Sequence, residues 1–376
     1  LPLACLGTSL RLVRDCPTLA LPARLHRRTN SGILCILTVT RPTATQGMTT
    51  VNLPPTTFIR VAHTALYSFI QEAGLRVGLP NERAALLARL LTDNDLRGVF
   101  SHGTIQMATY ARLLRDGVLN AKPHVHAMRE TDNSIIYDGD GGLGYFPAHA
   151  ATTAVIEKAL AHGIAVGQSR NHGHFGAAGI YSRMLLGHDL LGHVTSGHQL
   201  NLQPGQPYVT AAGGSPHSFI APAGEEQPLV LDFGAVHDLY VDSPHRQEIS
   251  RLAPGTVFRS VGLGAVCQAW GGFLAGVPAH PRRAVRTWPG ANQGALIIAF
   301  RIDLFIDPTI FKTEMDDYQR QVHRLQPLEG FDSALLPGSI EAQRSAAYQA
   351  DGIPVGPDHR TRLTEMAIEL GITPPW

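Results

Sequence analysis

Apolar side chains recur with helical spacing at Phe58, Val61, Leu66, Phe69 and Ile70, which predicts an amphipathic helix over Thr56 to Leu75. Asn81 is placed to cap a second helix running through Leu91. A third is predicted from His102 to about Asp116, capped by Ser101 and ended by Gly117. His102, Gln106 and Tyr110 then fall four apart on one helical stripe. From residue 126 to 301 the period changes. Short apolar runs at Ser134 to Tyr137, Ile164 to Val166, Leu229 to Leu231 and Ala295 to Phe300 alternate with glycine-rich turns and with helical stretches such as Ala148 to His162. This is the pattern of an α/β protein. Past Pro308 the chain reads polar and helical again, with helices over Thr313 to Leu325 and Arg360 to Leu370 and a Pro/Gly-rich connection between them. The terminal helices are expected to pack together.

With 376 residues, 44% hydrophobic and 16% charged, the chain is long enough for two packed units around a substantial core. No run approaches the roughly 18 consecutive apolar residues of a membrane span. A net charge of +1 favours no polyanionic partner, so neither nucleic acid nor membrane is expected as a ligand. Residues 1–47 stand apart: they hold six arginines, a single Asp and three of the four cysteines (Cys5, Cys16, Cys35), and they precede Met48. Met48 is read as the natural start, the rival reading being an Arg-rich transit peptide. The body keeps one cysteine, Cys267, which rules out a disulfide framework within it and points to a reducing, cytoplasmic compartment.

Two motifs carry the chemistry. The first is Asp95 to Gly103, in which His102 is suited to exchange a proton with a bound substrate. The second is Asn171-His172-Gly173-His174-Phe175-Gly176. Gly139 to Gly144 matches the G-x-G-x-x-G spacing that brings a pyrophosphate to a helix N-terminus. Against it, Tyr145-Phe146-Pro147 occupies the point where that helix should begin, and Arg170 stands where an acidic residue would hold the ribose. A glycine-rich turn without a nucleotide role is the equal alternative. His172 and His174 form an H-x-H pair of the kind that can hold a metal, but no third ligand is evident, and no metal site is assigned. Asp232 ends an apolar run, where it would serve as a turn cap or accept a hydrogen bond from a ribose.

Taken together, Asp95 to Gly103, Asp138 to Gly144, Asn171 to Gly176, Ala221 to Gly224 with Leu229 to Asp232, Leu336-Pro337-Gly338 and Gly352-Ile353-Pro354 resemble the malate/L-lactate dehydrogenase family over Met48 to Trp376. The resemblance implies a non-Rossmann fold with a largely antiparallel central sheet flanked by helices, a helical domain built from both chain ends, and a homodimer. On that reading residues 48–125 and 302–376 make the helical domain, 126–301 the sheet-containing cofactor domain, and 1–47 an extension. It implies hydride transfer between NAD or NADP and a small carboxylate substrate of the 2-hydroxy or 2-keto type. His102, His174 and Ser101 become the catalytic candidates, and Gln106, Tyr110 and Arg97 the substrate-binding ones. Phe175, Gly176, Ser196, Asp232, Phe233, Gly234, Gly338 and Ser339 are assigned to the cofactor.

The chain departs from the family pattern at three places. Gln106 stands where an arginine commonly grips the substrate carboxylate, and a neutral amide cannot replace that charge. Leu263-Gly264 replaces the usual Lys-Gly, and Gly214-Ser215-Pro216-His217 the usual Gly-Thr-Asn-Pro. Arg97, Arg112 and Arg259 are the candidates for the missing cation. Asp93 or Asp95 is expected to offset the helix-dipole penalty on a protonated His102. The alternatives to a dehydrogenase are a nucleotide-binding paralogue without 2-keto acid turnover and a metal-dependent hydrolase built on His172 and His174.

Overall fold

The computed structural model describes residues 52–240 and 243–376. The proposed start at Met48 and the segment 1–47 lie outside the described residues.

The chain enters through β1 (Ile59–Val61), α1 (His63–Arg76), α2 (Asn81–Leu96) and α3 (Met107–Arg115). Next come β2 (His126–Glu130), β3 (Ser134–Asp138), α4 (Tyr145–His162), β4 (Ile164–His172), α5 (Gly179–Leu186) and β5 (Leu190–His198). They are followed by β6 (Pro216–Ala221), β7 (Leu229–Gly234), α6 (Arg246–Leu252), α7 (Pro254–Val266) and β8 (Gln293–Arg301). The chain closes with α8 (Pro308–Val322), α9 (Ser339–Asp351), β9 (Ile353–Val355) and α10 (Pro357–Leu370).

Seven strands form one sheet in the order β2-β3-β4-β8-β5-β6-β7. Only β3 and β4 run parallel, and α4 supplies the crossover they require. The other neighbours are antiparallel. The sheet is therefore mixed but largely antiparallel, unlike a Rossmann sheet. Ala295 to Ala299 sits at its centre because the run is apolar on both faces, and Ala295, Leu296, Ile297 and Ala299 are all buried.

The two ends of the described chain meet in a second, two-stranded sheet, where β1 pairs antiparallel with β9 through Arg60 and Pro354. Val61, Leu66, Leu96, Tyr348, Ile353 and Val355 close a small apolar cluster around it. Leu363, Met366 and Ala367 of α10 join Phe69, Ile70, Leu87 and Leu91 in the main core. Helix α10 thus shares buried surface with the first helices, as its spacing predicts, whereas α8, expected to join them, docks on the turn between β6 and β7, where Asp316 accepts from the Gly224, Glu225 and Glu226 amides.

Several expected boundaries move. The first helix begins at His63, because Ile59 to Val61 pairs as a strand with β9. Asn81 opens the second helix without capping it: its Oδ1 accepts from Gln71 Nε2 at 3.2 Å. That helix also continues past Leu91 to Leu96. The helix expected from His102 starts five residues later, at Met107, since Gly103 is extended (φ −87°, ψ −156°) and separates two single 3₁₀ turns. Ser101 therefore caps no helix, and His102, Gln106 and Tyr110 do not share one helical face. The Pro/Gly-rich connection after Leu325 contains α9, whose only buried residues are Ser339 and Tyr348, so it leaves almost no apolar periodicity to read.

Candidate active site

The segment bearing His102 is fixed from below by a buried carboxylate. Asp95 Oδ2 accepts from Thr104 N at 3.0 Å and from the Thr104 hydroxyl, which in turn accepts from His359 Nε2 at 2.8 Å. Burial pushes Asp95 up to about 7, against the opposing hydrogen bonds from Thr104. Gly103 lies directly on this carboxylate: a Cβ there would fall 1.7 Å from Asp95 Oδ1, so no other residue fits. Asp95 therefore holds the backbone beneath His102; the only influence resolved on the imidazole is burial, so the expected electrostatic offset is not what this carboxylate supplies. Nor does His102 sit at an α-helix N-terminus, so the dipole penalty falls away.

The second loop is shaped by a register shift between Ser169 and His172 against β8, which leaves Asn171 at φ 53°. The glycine-rich turn after β3 clamps it. Gly141 N donates to Asn171 O at 2.9 Å, Gly144 N to His174 O at 3.0 Å, and Gly173 N to Gly142 O at 2.9 Å. A Cβ at Gly144 would meet His172 Nδ1 at 2.6 Å, one at Gly142 would meet Pro123, and one at Gly141 would enter the Trp288 ring. The glycines let protein backbone approach protein, and those two donors are spent on the histidine loop; the pyrophosphate reading of this motif is set aside.

His172 is enclosed, with Nδ1 donating to Gly173 O at 2.7 Å and Nε2 accepting from Ser169 Oγ at 2.9 Å. Neither nitrogen is left for a ligand. Among the described residues no group of three or more His, Cys, Asp or Glu is arranged to hold a metal.

His102 and His174, by contrast, come together. Their rings stack with centroids 5.5 Å apart and an interplanar angle of 29°. Ser101 Oγ donates to Asn52 Oδ1 at 3.0 Å and lies 2.9 Å from His102 Nδ1. With its proton given to Asn52, the hydroxyl accepts from Nδ1–H, which leaves Nε2 of His102 with a free lone pair. His174 Nδ1 lies 2.6 Å from Tyr110 Oη, itself 3.1 Å from Tyr145 Oη. Burial lowers His102 to about 4 and His174 to about 3, the latter helped by the neighbouring His102, His198 and His172. Two stacked imidazoles are stable here because both are neutral.

The remaining predicted residues divide into those near open polar groups and those already committed. Gln106 Nε2 donates to Ser101 O at 2.6 Å and so braces the turn. Arg97 donates to Asp93 O at 2.7 Å. Phe175 is buried, stacked on Tyr181 at 5.3 Å, and Gly176 (φ 85°) packs against Tyr145 Oη. Ser196 Oγ is spent on Gly294 O at 2.8 Å. Asp232, expected as a turn cap, lies within β7 two residues before its end, opposite Ser218, where it pairs with Arg183 at a long 4.0 Å and accepts from the Gly179 amide; burial raises it to about 6. Phe233 stacks on His217, and Gly234 pairs in register with Pro216. Gly338 (φ 100°) packs on Val230, whose amide bonds Pro337 O, and so brings Ser339 at the start of α9 to β7. Ser215 Oγ is buried without a partner.

Sequence reasoning missed Asn52, Tyr145 and Arg183. Tyr145 was legible only as an obstacle to a nucleotide helix; nothing in one sequence reveals that Asn52 reaches Ser101 across 49 residues.

A largely antiparallel sheet beside two stacked, neutral imidazoles describes a class of non-Rossmann oxidoreductases that act on hydroxy acids. Residues 61–236 and 241–364 match the family model for malate/L-lactate dehydrogenase, and the chain belongs to that family. It is 26% identical over 330 residues to the L-sulfolactate dehydrogenase of Methanocaldococcus jannaschii, covering 79% of this chain and 93% of that protein. Over 341 residues it is 24% identical to hydroxycarboxylate dehydrogenase B of Escherichia coli K12, covering 82% of this chain and 93% of that one. Among solved structures, the malate dehydrogenase of Pyrococcus horikoshii OT3 shares the fold with a TM-score of 0.72 at 22% identity, over 86% of this chain and 98% of that chain. The protein is thus an oxidoreductase of hydroxy acids, and dehydrogenases of this family use nicotinamide cofactors. No helix among the described residues is long and apolar enough to cross a membrane.

Proposed function

We propose that this chain oxidises and regenerates a small 2-hydroxy carboxylate using NAD or NADP, with His102 as the group that holds the transferred proton. The observation that carries this reading is the His102 imidazole held through Nδ1 by the Ser101–Asn52 chain, which leaves Nε2 a free lone pair, and stacked beside His174.

In the oxidative direction His102 Nε2 takes the substrate hydroxyl proton, while Nδ1–H stays on Ser101 Oγ. In the reductive direction the imidazolium returns that proton to the carbonyl oxygen. When bound, the cofactor supplies a pyridine ring that accepts or gives the hydride. Tyr110 and Tyr145 hold His174 in orientation beside His102.

The residues at the end of β7 fit a cofactor. Asp232 is a buried carboxylate with one amide donor and a long ion pair, so it retains acceptor capacity for a ribose hydroxyl. Ser215, whose carbonyl accepts from Ala235 N just past β7, has a buried Oγ without a partner. Phe175, Gly176, Phe233, Gly234, Gly338 and Ser339 contribute shape and backbone, whereas Ser196 contributes through its main chain alone, its hydroxyl being committed. The reading extends to a homodimer, because Leu252, Phe258, Phe273 and Leu274 expose apolar side chains in α6, α7 and the turn beyond. Cytoplasmic residence is part of the same reading, and the buried free thiol of Cys267 supports it.

Reduced-nicotinamide absorbance, followed with both cofactors across a panel of 2-keto acids and cyclic imines, tests the reading. His102→Ala should abolish turnover and keep cofactor affinity. Absence of turnover across the panel, or full activity in His102→Ala, overturns it.

A further inference from the structure

Helices α2 and α5 enclose a cavity of about 180 Å³, with Asn94 and Arg97 on one wall and Gly179 and Arg183 on the other. Arg183 is largely buried, and its one carboxylate partner among the described residues, Asp232, lies at the 4.0 Å limit of an ion pair. Arg97 has no carboxylate within ion-pair distance among the described residues; its Nη1 goes to the Asp93 carbonyl. At the rim, Arg89 and Asp93 pair at 4.0 Å, both half exposed. Burial lowers Arg183 and so does the charge of Arg97, while Asp232 and Glu341 act in the opposite sense. Two guanidinium groups thus share one small, partly desolvated space, an arrangement that an oxyanion between them would relieve.

The cavity is tied to the candidate proton acceptor through its own wall. Asn94 Nδ2 donates to His102 O at 2.9 Å, and the Asn94 carbonyl accepts from Val99 N at 2.9 Å. The wall is therefore hydrogen-bonded directly to the turn bearing His102. Gln106 is neutral and its Nε2 is spent on the Ser101 carbonyl, so it offers no grip on an anion.

We propose that Arg97 and Arg183 form the clamp for the carboxylate of the 2-hydroxy or 2-keto acid, replacing the cation absent at position 106. The assignment rests on the dehydrogenase reading above and adds to it the residues that select an anionic substrate. Arg97 supplies a charge with no carboxylate partner among the described residues. Arg183, oriented by Asp232, supplies a second one from α5, so closure of the two walls on the carboxylate links substrate binding to the cofactor-facing end of β7.

The test compares a 2-keto acid with its methyl ester, which keeps the reacting carbonyl and loses the charge. Wild type should prefer the acid, and Arg97→Gln should lower kcat/KM for the acid by about 10²-fold, chiefly through KM, with the ester changed less than about threefold. Arg97→Lys should recover part of the loss, as should Arg183→Lys relative to Arg183→Gln, since charge is kept and the planar fork is not. Cofactor Kd should stay within about twofold in every Arg97 variant. An acid-to-ester ratio unchanged in both Arg97→Gln and Arg183→Lys overturns the proposal, as does a rise in cofactor Kd with that ratio intact. If wild type turns over nothing, the dehydrogenase reading itself fails; calorimetric titration with oxalate then judges the clamp separately, and equal affinity in wild type and Arg97→Gln overturns it.

Discussion

The His102 imidazole lies over that of His174 at 5.5 Å, each ring anchored through Nδ1 by a different hydroxyl: Ser101 for the first, Tyr110 for the second. Both anchors leave Nε2 without a partner among the described residues. Chain segments about seventy residues apart thereby present two neutral imidazoles side by side, and each can be altered without removing the other.

The pH dependence follows from the neutral state. Hydroxy-acid oxidation needs His102 deprotonated, and burial sets its pKa near 4 in place of the usual 6.5. The rate therefore stays flat as pH falls through 6.5 and declines only toward 4. Oxidation at pH 5.5 should lie within about twofold of that at pH 7.5. An acid limb with its midpoint near 6.5, measured as kcat/KM for the hydroxy acid, would show that the proton acceptor is a solvated group.

Tyr110→Phe should leave His174 Nδ1 and Tyr145 Oη without their shared partner in a buried position. The cost is about 1–3 kcal/mol of stability, read from urea unfolding midpoints. The phenylalanine keeps the ring packing of a fully buried side chain, so the fold should persist while kcat drops. Unchanged stability together with unchanged kcat would remove Tyr110 from the site.

Gly103→Ala is expected to be among the most damaging single-methyl additions in the chain. Its Cβ would overlap Asp95 Oδ1 at 1.7 Å, so either the carboxylate or the turn bearing His102 must shift. Activity should fall by at least about 10²-fold, as expected when a catalytic group is displaced by about an ångström. Retained wild-type kcat in a folded Gly103→Ala protein would show that the turn tolerates the shift.

Asp95 also predicts a pH effect on stability. Its pKa is 3.8 in the unfolded reference and about 7 when folded, so the native state prefers the protonated acid. That contribution is fully present below 3.8 and is lost as pH rises through 7. The buried histidines act in the opposite sense: with folded values near 4 for His102, His172 and His359, they lose stability as pH falls from 6.5 toward 4. Asp95→Asn isolates the carboxylate. Its stability relative to wild type should rise from pH 5 to pH 8, and a difference constant across that range would argue against a protonated Asp95.

Much of the scaffold was legible because its signals are local. The buried run Ala295 to Phe300 announces a central strand, and the runs at Ser134, Ile164 and Leu229 mark three more. Leu363, Met366 and Ala367 keep helical spacing, and α10 lies where that spacing puts it. Helix α9 was not legible, because it buries almost nothing of its own. The Rossmann-like glycines misled for a related reason: spacing reports that backbone must come close to something, without saying whether the neighbour is a phosphate or, as here, the His172 to His174 loop.

For the site, the sequence by itself determined the chemical inventory: an imidazole after a serine at 101–102, another in a glycine-flanked loop at 174, and a neutral amide at 106. Only the tertiary structure decided their state. The stacking of His102 on His174, the Asn52–Ser101 relay that frees Nε2, and the approach of Arg183 to Arg97 all join residues distant along the chain. Proton affinity and ligand preference depend on burial and on through-space neighbours within a few ångströms. Those quantities exist only once the sheet has brought the segments together.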